Sequence, residues 1–438
     1  MGGDIVLYML ALLIIMIIGG VHIAIALAAC SAIGVWLMLG SFEVAISILS
    51  NTAYEAVRKD VFAVIPLFVL MGDVIWRSGA AGDLYRICDR ALRRLPGRLA
   101  IATIAGNTVF AAVTGVSIAA AAAFSRIAYP EMKALGYSRS FALGAVAGSA
   151  CLGMLIPPSV LLIVWAILTE MSVGALFLAG IVPGMMLAGL FAAYVIVAAI
   201  MKPELAPAYT APLVEATPEE TRSEIIGGLG ILALVLVVIG GIWTGVFTPT
   251  EAAGFGALAA MLLGYVKGMR RAAFVETLFQ AARTTAPIML LLITAQMYSR
   301  LLALGGGVNY IQGLFLGADL SPFMVIALMV VIWLLLGMLI DSVSIILLTV
   351  PIFVPIAVAL GYDPLAFAIF GILVIEAGLL TPPFGLLVFT VRGAVPDPSA
   401  TLSMIFRGAF PYVLLIMLAA FLVLFIPSLA TWLPAVAL

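Results

Sequence analysis

Asp341 and Glu376 are carboxylates set deep in long apolar runs, and an acidic residue in such surroundings is a functional candidate because hydrocarbon penalises it heavily. Asp341 stands with Ser342 and Ser344 at the interruption, which favours a cation-related role over a structural hydrogen bond. Glu376 can line a site, balance a cation or accept from backbone amides. Two proline pairs lie in equally apolar sequence, Gly153-Met154-Leu155-Ile156-Pro157-Pro158-Ser159 and Gly378-Leu379-Leu380-Thr381-Pro382-Pro383-Phe384-Gly385. Consecutive prolines remove two backbone donors and clash with the preceding carbonyls, so a helix breaks there and leaves carbonyl oxygens unpaired. In a bilayer such backbone is tolerated only where protein buries it or where it lines a polar cavity. A hard monovalent cation such as sodium suits those oxygens, with the hydroxyls of Thr381 and Ser149 in support; a plain kink satisfied by neighbouring helices is the alternative. A further interruption, Thr114-Gly115-Val116-Ser117, offers a glycine for a tight reversal together with amides and hydroxyls. Helix N-termini there favour anions and carbonyl-exposing ends favour cations. Close helix packing through small residues competes as an explanation, and fits Ala119 to Ala123 better than Thr114 or Ser117.

Such residues need a membrane domain to hold them. Of the 438 residues 65% are hydrophobic and 9% charged, with a mean hydropathy of +1.30. That balance excludes soluble enzymes, nucleic-acid binders and disordered scaffolds, and gives the fold class as an all-α polytopic membrane protein. At about 20 apolar residues per crossing, full spans are expected near 4–20, 23–40, 61–77, 140–168 and 176–200, then 225–243, 250–266, 284–300, 364–391 and 409–434. Two more apolar stretches, about 99–130 and 322–356, are interrupted midway at Thr114 to Ser117 and at Asp341 to Ser344, and each reads as a crossing or a re-entrant hairpin. The run from Ile5 reads as a first span rather than a cleaved leader. Cys30, Cys88, Cys151 and the single His22 form no metal or disulfide pattern.

Placement of the basic residues separates crossing from hairpin. If both stretches are hairpins, 17 of the 20 Lys and Arg fall on one face, leaving Arg58, Lys59 and Arg300 on the other. The crowded face is then cytoplasmic and both termini are periplasmic. A single crossing over 99–130 would send Arg126, Lys133 and Arg139 to the wrong side, so hairpins are expected. The charged segment 84–98 reads as an amphipathic interfacial helix. The segment 201–224, with Pro203, Pro207, Pro212 and Pro218 and with Glu215, Glu219, Glu220 and Glu224, reads as a solvated cytoplasmic linker.

The two halves repeat. At an offset of 225, Ala134-Leu135-Gly136-Tyr137 falls on Ala359-Leu360-Gly361-Tyr362, and Pro130, Gly153, Leu155, Pro157 and Pro158 meet Pro355, Gly378, Leu380, Pro382 and Pro383. Nine identities in 29 positions exceed the two or three that so apolar a composition gives by chance. A first repeat over 1–200 and a second over 225–438, each with five full crossings, must be inverted relative to one another. The nine basic residues of 77–139 against none in 302–364 agree. Inverted repeats with broken helices are the architecture of secondary transporters, whose site lies near the midplane where the copies meet.

These residues resemble a family, the large membrane subunit of tripartite ATP-independent periplasmic (TRAP) transporters. The likeness covers nearly the whole chain and rests on Ile65-Pro66-Leu67-Phe68, Thr114 to Ser117, Ile127 to Tyr137, Gly153 to Ser159, Phe177-Leu178-Ala179-Gly180 with Pro183-Gly184, Gly337 to Asp341, and Gly378 to Gly385. It implies an elevator-type importer in which hairpins and broken helices move against a scaffold. It also implies sodium as coupling ion with no other cofactor, a separate small four-helix membrane subunit, and a periplasmic solute-binding protein that delivers an organic acid across the bacterial inner membrane. On the matching positions Thr114, Gly115, Ser117, Gly153 and Pro157 would form a first cation and substrate cradle; Asp341, Ser342, Ser344, Gly378, Thr381, Pro382 and Gly385 would form a second. Sodium would sit at Thr114, Gly115, Ser117, Gly153, Asp341, Ser342, Gly378 and Thr381, with Ser149 and Glu376 in the same region. Val116 departs from the adjacent serines often found after the first tip glycine in this family. A stand-alone sodium and carboxylate symporter of related architecture is the nearest alternative; an intramembrane hydrolase explains an inverted duplication poorly, and proline-broken helices closed by paired hairpins suggest occlusion rather than an open channel.

Overall fold

The computed structural model describes residues 2–207, 217–307, 310, 313 and 320–437. Every regular element among them is helical. In chain order these are α1 (Gly2–Ile18), α2 (Ile23–Leu39), α3 (Phe42–Arg58), α4 (Val64–Arg77), α5 (Ala80–Ala91), α6 (Arg98–Thr114), α7 (Ser117–Ala134), α8 (Arg139–Ala150), α9 (Val160–Thr169) and α10 (Val173–Met201). They continue as α11 (Pro218–Trp243), α12 (Pro249–Val266), α13 (Arg271–Leu304), α14 (Pro322–Gly337), α15 (Ser342–Ala359), α16 (Pro364–Gly378), α17 (Leu386–Ala394), α18 (Leu402–Phe425) and α19 (Ser428–Ala437).

Both interrupted stretches fold back on themselves. Near the open end of the first, the Leu99 amide donates to Tyr137 Oη at 3.3 Å, and nearer its tip the Phe110 and Phe124 rings meet at 5.8 Å. Gly115 makes the reversal between α6 and α7 at φ +63°, a conformation a side chain resists. In the second, Trp333 Nε1 donates to Thr349 Oγ1 at 2.8 Å across α14 and α15. The helices that follow are broken where the prolines stand. After α8 a short 3-10 turn, Cys151–Met154, leads into the first break before α9; Leu379 to Gly385 separate α16 from α17. Both Pro-Pro bonds are cis. α7 and α15 each run 18 residues and start and stop at the same offset as the sequence identities, as α8 and α16 do at their first residues.

Elements from the two halves pack into one body. Trp165 of α9 meets Trp333 of α14 at 6.5 Å and Phe367 of α16 at 6.2 Å, an aromatic cluster buried throughout. On the other flank α8 lies against α18, where Gly144 and Gly408 bring the two backbones into contact and Gly148 accommodates the Tyr412 ring. Close approach through small residues is how helices gain packing where lipid offers no hydrophobic drive. Tyr129 and Lys133 of α7 bind Asp397, in the loop before α18, at 2.7 and 2.8 Å. A second polar cluster ties α5 to α11 and α12: Asp83 pairs with Lys267 and Arg86, and Glu224 pairs with Arg86 and Arg90.

Several expectations need correcting. The helix expected over 84–98 is α5, ending at Ala91; Pro96 disfavours helix in the residue before it, and Gly97 at φ +70° opens α6. A 68° bend separates the segment 60–77 from α5, at Gly79 with φ +80°. The linker 201–224 is not solvated to its end. α11 begins at Pro218, a residue preorganised for a first turn, and Glu224 is buried between Arg86 and Arg90; residues 208–216 lie outside the described residues. The span near 284–300 belongs to a longer helix, α13, which runs 34 residues and begins already at Arg271. The span near 409–434 is α18 and α19, parted at Ile426-Pro427. α3 was not expected at all: it buries only Ala45, Leu49 and Ala56, so its sequence holds no continuous apolar run. By length and composition five described helices can cross a bilayer, α10, α13, α15, α18 and 221–243 of α11, or six if the bent segment 60–91 counts as one span. The other apolar helices run 10 to 17 residues, at most about 25 Å against a hydrocarbon core of about 30 Å.

Candidate functional site

The first tip plugs into the first break. The Val160 amide, at the start of α9, donates to the Gly115 carbonyl at 3.1 Å, and a Cβ on Gly115 would strike the Pro158 carbonyl. Gly153 lies against the Ser117 backbone, where a Cβ would come within 3.1 Å. Pro157 is buried with every residue from Cys151 to Val160. Thr114 spends its hydroxyl on the Phe110 carbonyl at 2.9 Å. Ser149 is likewise occupied, donating to the Ala145 carbonyl and accepting from Asn107 Nδ2, both at 2.6 Å.

The second tip joins the same centre through Glu376. Ser342 Oγ, at the start of α15, donates to Glu376 Oε1 at 2.9 Å, and Cys151 Sγ donates to the Glu376 carbonyl at 3.8 Å. Ser117, the repeat partner of Ser342, lies beside the same carboxyl group, outside hydrogen-bond geometry. Thus two equivalent serines, each opening a helix, flank one carboxylate. Two buried oxygens here have no partner: Ser117 Oγ and Glu376 Oε2. Leaving such atoms unpaired costs free energy unless something fills the position. A hard monovalent cation with oxygen ligands fits that donor set.

The remaining candidates stand apart. Asp341 caps α15, accepting from the Ser344 amide at 3.0 Å and from Ser344 Oγ at 2.5 Å, which commits Ser344 to the turn. Gly378 packs on Gly337, where a Cβ would lie 2.9 Å from its Cα. Thr381 Oγ1 returns to the Gly378 carbonyl at 2.6 Å. Gly385 begins α17 at φ +59°. The second break is open where the first is closed: Pro382, Pro383 and Phe384 are exposed. Glu251 is structural, forming a capping box with Thr248 at the start of α12. Asn107 and Asp73, whose Oδ2 is also buried without a partner, escaped the sequence reading. Each is a lone polar residue inside an apolar helix, the same signal that marked Asp341 and Glu376.

The family model described as "Tripartite ATP-independent periplasmic transporter, DctM component" matches residues 10–429. The chain belongs to this family. Among relatives, the C4-dicarboxylate TRAP transporter large permease protein DctM of Pseudomonas aeruginosa is 31% identical over 388 residues, covering 88% of this chain and 89% of that protein. The ectoine TRAP transporter large permease protein TeaC of Halomonas elongata is 31% identical over 435 residues, 97% and 98% of the two chains. The solved structure of MtrF from Neisseria gonorrhoeae covers 97% of this chain and 94% of its own at a TM-score of 0.62 and 16% identity, a likeness of fold. This TRAP large permease is therefore a membrane transport component, in a family of permeases rather than enzymes.

Proposed function

We propose that this TRAP permease imports organic acids across the bacterial inner membrane, driven by sodium, with a small four-helix membrane subunit and a periplasmic binding protein as partners. The two halves act as inverted repeats of about five crossings each, with both termini periplasmic. The hairpins and broken helices move together as an elevator against the remaining helices. The observation that carries the ion coupling is the pair of unpartnered oxygens, Ser117 Oγ and Glu376 Oε2, buried where the two repeats meet. The aromatic cluster of Trp165, Trp333 and Phe367 supports motion as one body, because it joins the first broken helix to the hairpin and broken helix of the other repeat. Relatives named for C4-dicarboxylates and ectoine support a small carboxylate as cargo.

The partner requirement is tested in proteoliposomes holding the chain with its small subunit. Labelled acid should enter only when the soluble binder is present, and omission of either partner should reduce uptake to background. Uptake by the chain alone would move it to the stand-alone symporters.

A further inference from the structure

An organic acid brings a negative charge to a region that already holds two carboxylates, Asp341 and Glu376. The groups that touch Glu376 are two hydroxyls and a thiol, Ser117, Ser342 and Cys151. None is basic. Coupling cations offset the resident carboxylates, so the incoming one needs a partner of its own.

One basic side chain reaches the second break. A cavity of about 300 Å³ separates that break from α18, and its lining includes Thr381 and Pro382 on one side and Phe406, Arg407 and Phe410 on the other. Arg407 is exposed and forms no ion pair among the described residues. Three other basic residues are engaged by the segment just before α18: Lys133 with Asp397, Arg139 with Ser399, and Arg392 with the Pro398 carbonyl. A guanidinium matches a carboxylate with two parallel hydrogen bonds. Phenylalanine walls with one or two placed polar groups are the usual make-up of a small-molecule pocket, and the volume is at the small end of that range. The second break is exposed where the first is buried, so this cavity opens to the surface.

We propose that Arg407 binds the carboxylate of the transported acid in this cavity, with the Thr381-Pro382 backbone as its floor. The inference rests on the organic-acid reading above. It makes Arg407 a determinant of acid affinity, separate from the ion-binding oxygens around Glu376.

The test is calorimetric titration of succinate, ectoine and gluconate into the chain with its small subunit, in phosphatidylcholine nanodiscs and sodium buffer. At least one acid should bind wild type. Arg407→Gln should weaken that binding about 10- to 100-fold, the range for a lost charge-assisted hydrogen bond. Arg407→Lys should fall between, because it keeps the charge and loses the fork, and the half-saturating sodium concentration should not move. Unchanged affinity in Arg407→Gln overturns the inference and leaves the organic-acid reading standing. Failure of all three acids to bind wild type overturns both. A loss seen only when phosphatidylglycerol is added to the discs assigns Arg407 to a lipid phosphate and likewise overturns it.

Discussion

Ser117 and Ser149, both buried serines of the first repeat, predict opposite behaviour. Ser149 Oγ is fully bonded, to the Ala145 carbonyl and to Asn107, so Ser149→Ala strands the Asn107 amide and should cost about 1–3 kcal/mol of stability. Ser117 Oγ has no partner, so Ser117→Ala should leave thermal stability nearly unchanged. If that hydroxyl is an ion ligand, the same substitution should raise the sodium concentration for half-maximal uptake at least about tenfold, equivalent to roughly 1.4 kcal/mol. Melting curves and sodium titrations on both variants check this; a destabilised Ser117→Ala with normal sodium dependence would make the residue structural. The sequence showed which residues were polar and out of place, including Ser117, Asp341 and Glu376. It did not show which hydroxyls were already spent. Thr114, Ser149, Ser344 and Thr381 all bond to nearby groups of their own helix or turn, a local choice that hydroxyl side chains make readily and that composition does not reveal.

Among the elements, the proline pairs and the Leu-Gly-Tyr repeat located both broken helices and both hairpin ends, because prolines and left-handed glycines act through backbone geometry that few other residues reproduce. Amphipathic α3 and the long α13 were not legible: one has too few apolar residues in a row and the other carries its helix through polar sequence and Pro287. The staple between α7 and the loop before α18 was not legible either, since it joins residues far apart in the chain. Lys133 beside Asp397, aided by Ser399 and Tyr129, holds that carboxyl below the usual carboxylate range. A carboxyl with a depressed folded-state value contributes stability that is present above its unfolded value, about 4, and is lost as pH falls through the folded one. Wild type should therefore exceed Asp397→Asn in melting temperature by the same margin from pH 8 to 6, with the gap closing only in acid below about pH 4. A gap that closes between pH 7 and 5 would show that the staple does not hold Asp397 ionised.

Across the whole molecule, the first hairpin tip is seated in the first break and the second tip reaches Glu376 through Ser342. Duplication was legible because the repeats keep their identities at one offset; the asymmetry between them was not. The first break is sealed by Gly115 and Val160, whereas the second is exposed at Pro382 to Phe384, a difference made by packing partners rather than by the two similar proline motifs. Glu376 gives the most direct test, because Gln can still accept from Ser342 Oγ through its amide oxygen while losing the charge. The decisive measurement is uptake of labelled acid by the complete assembly in proteoliposomes, with sodium or potassium outside, for wild type and Glu376→Gln. Wild-type uptake should collapse when potassium replaces sodium, and Glu376→Gln should lose its sodium-dependent uptake while staying folded in the membrane. Wild-type uptake that proceeds equally in potassium would contradict the account.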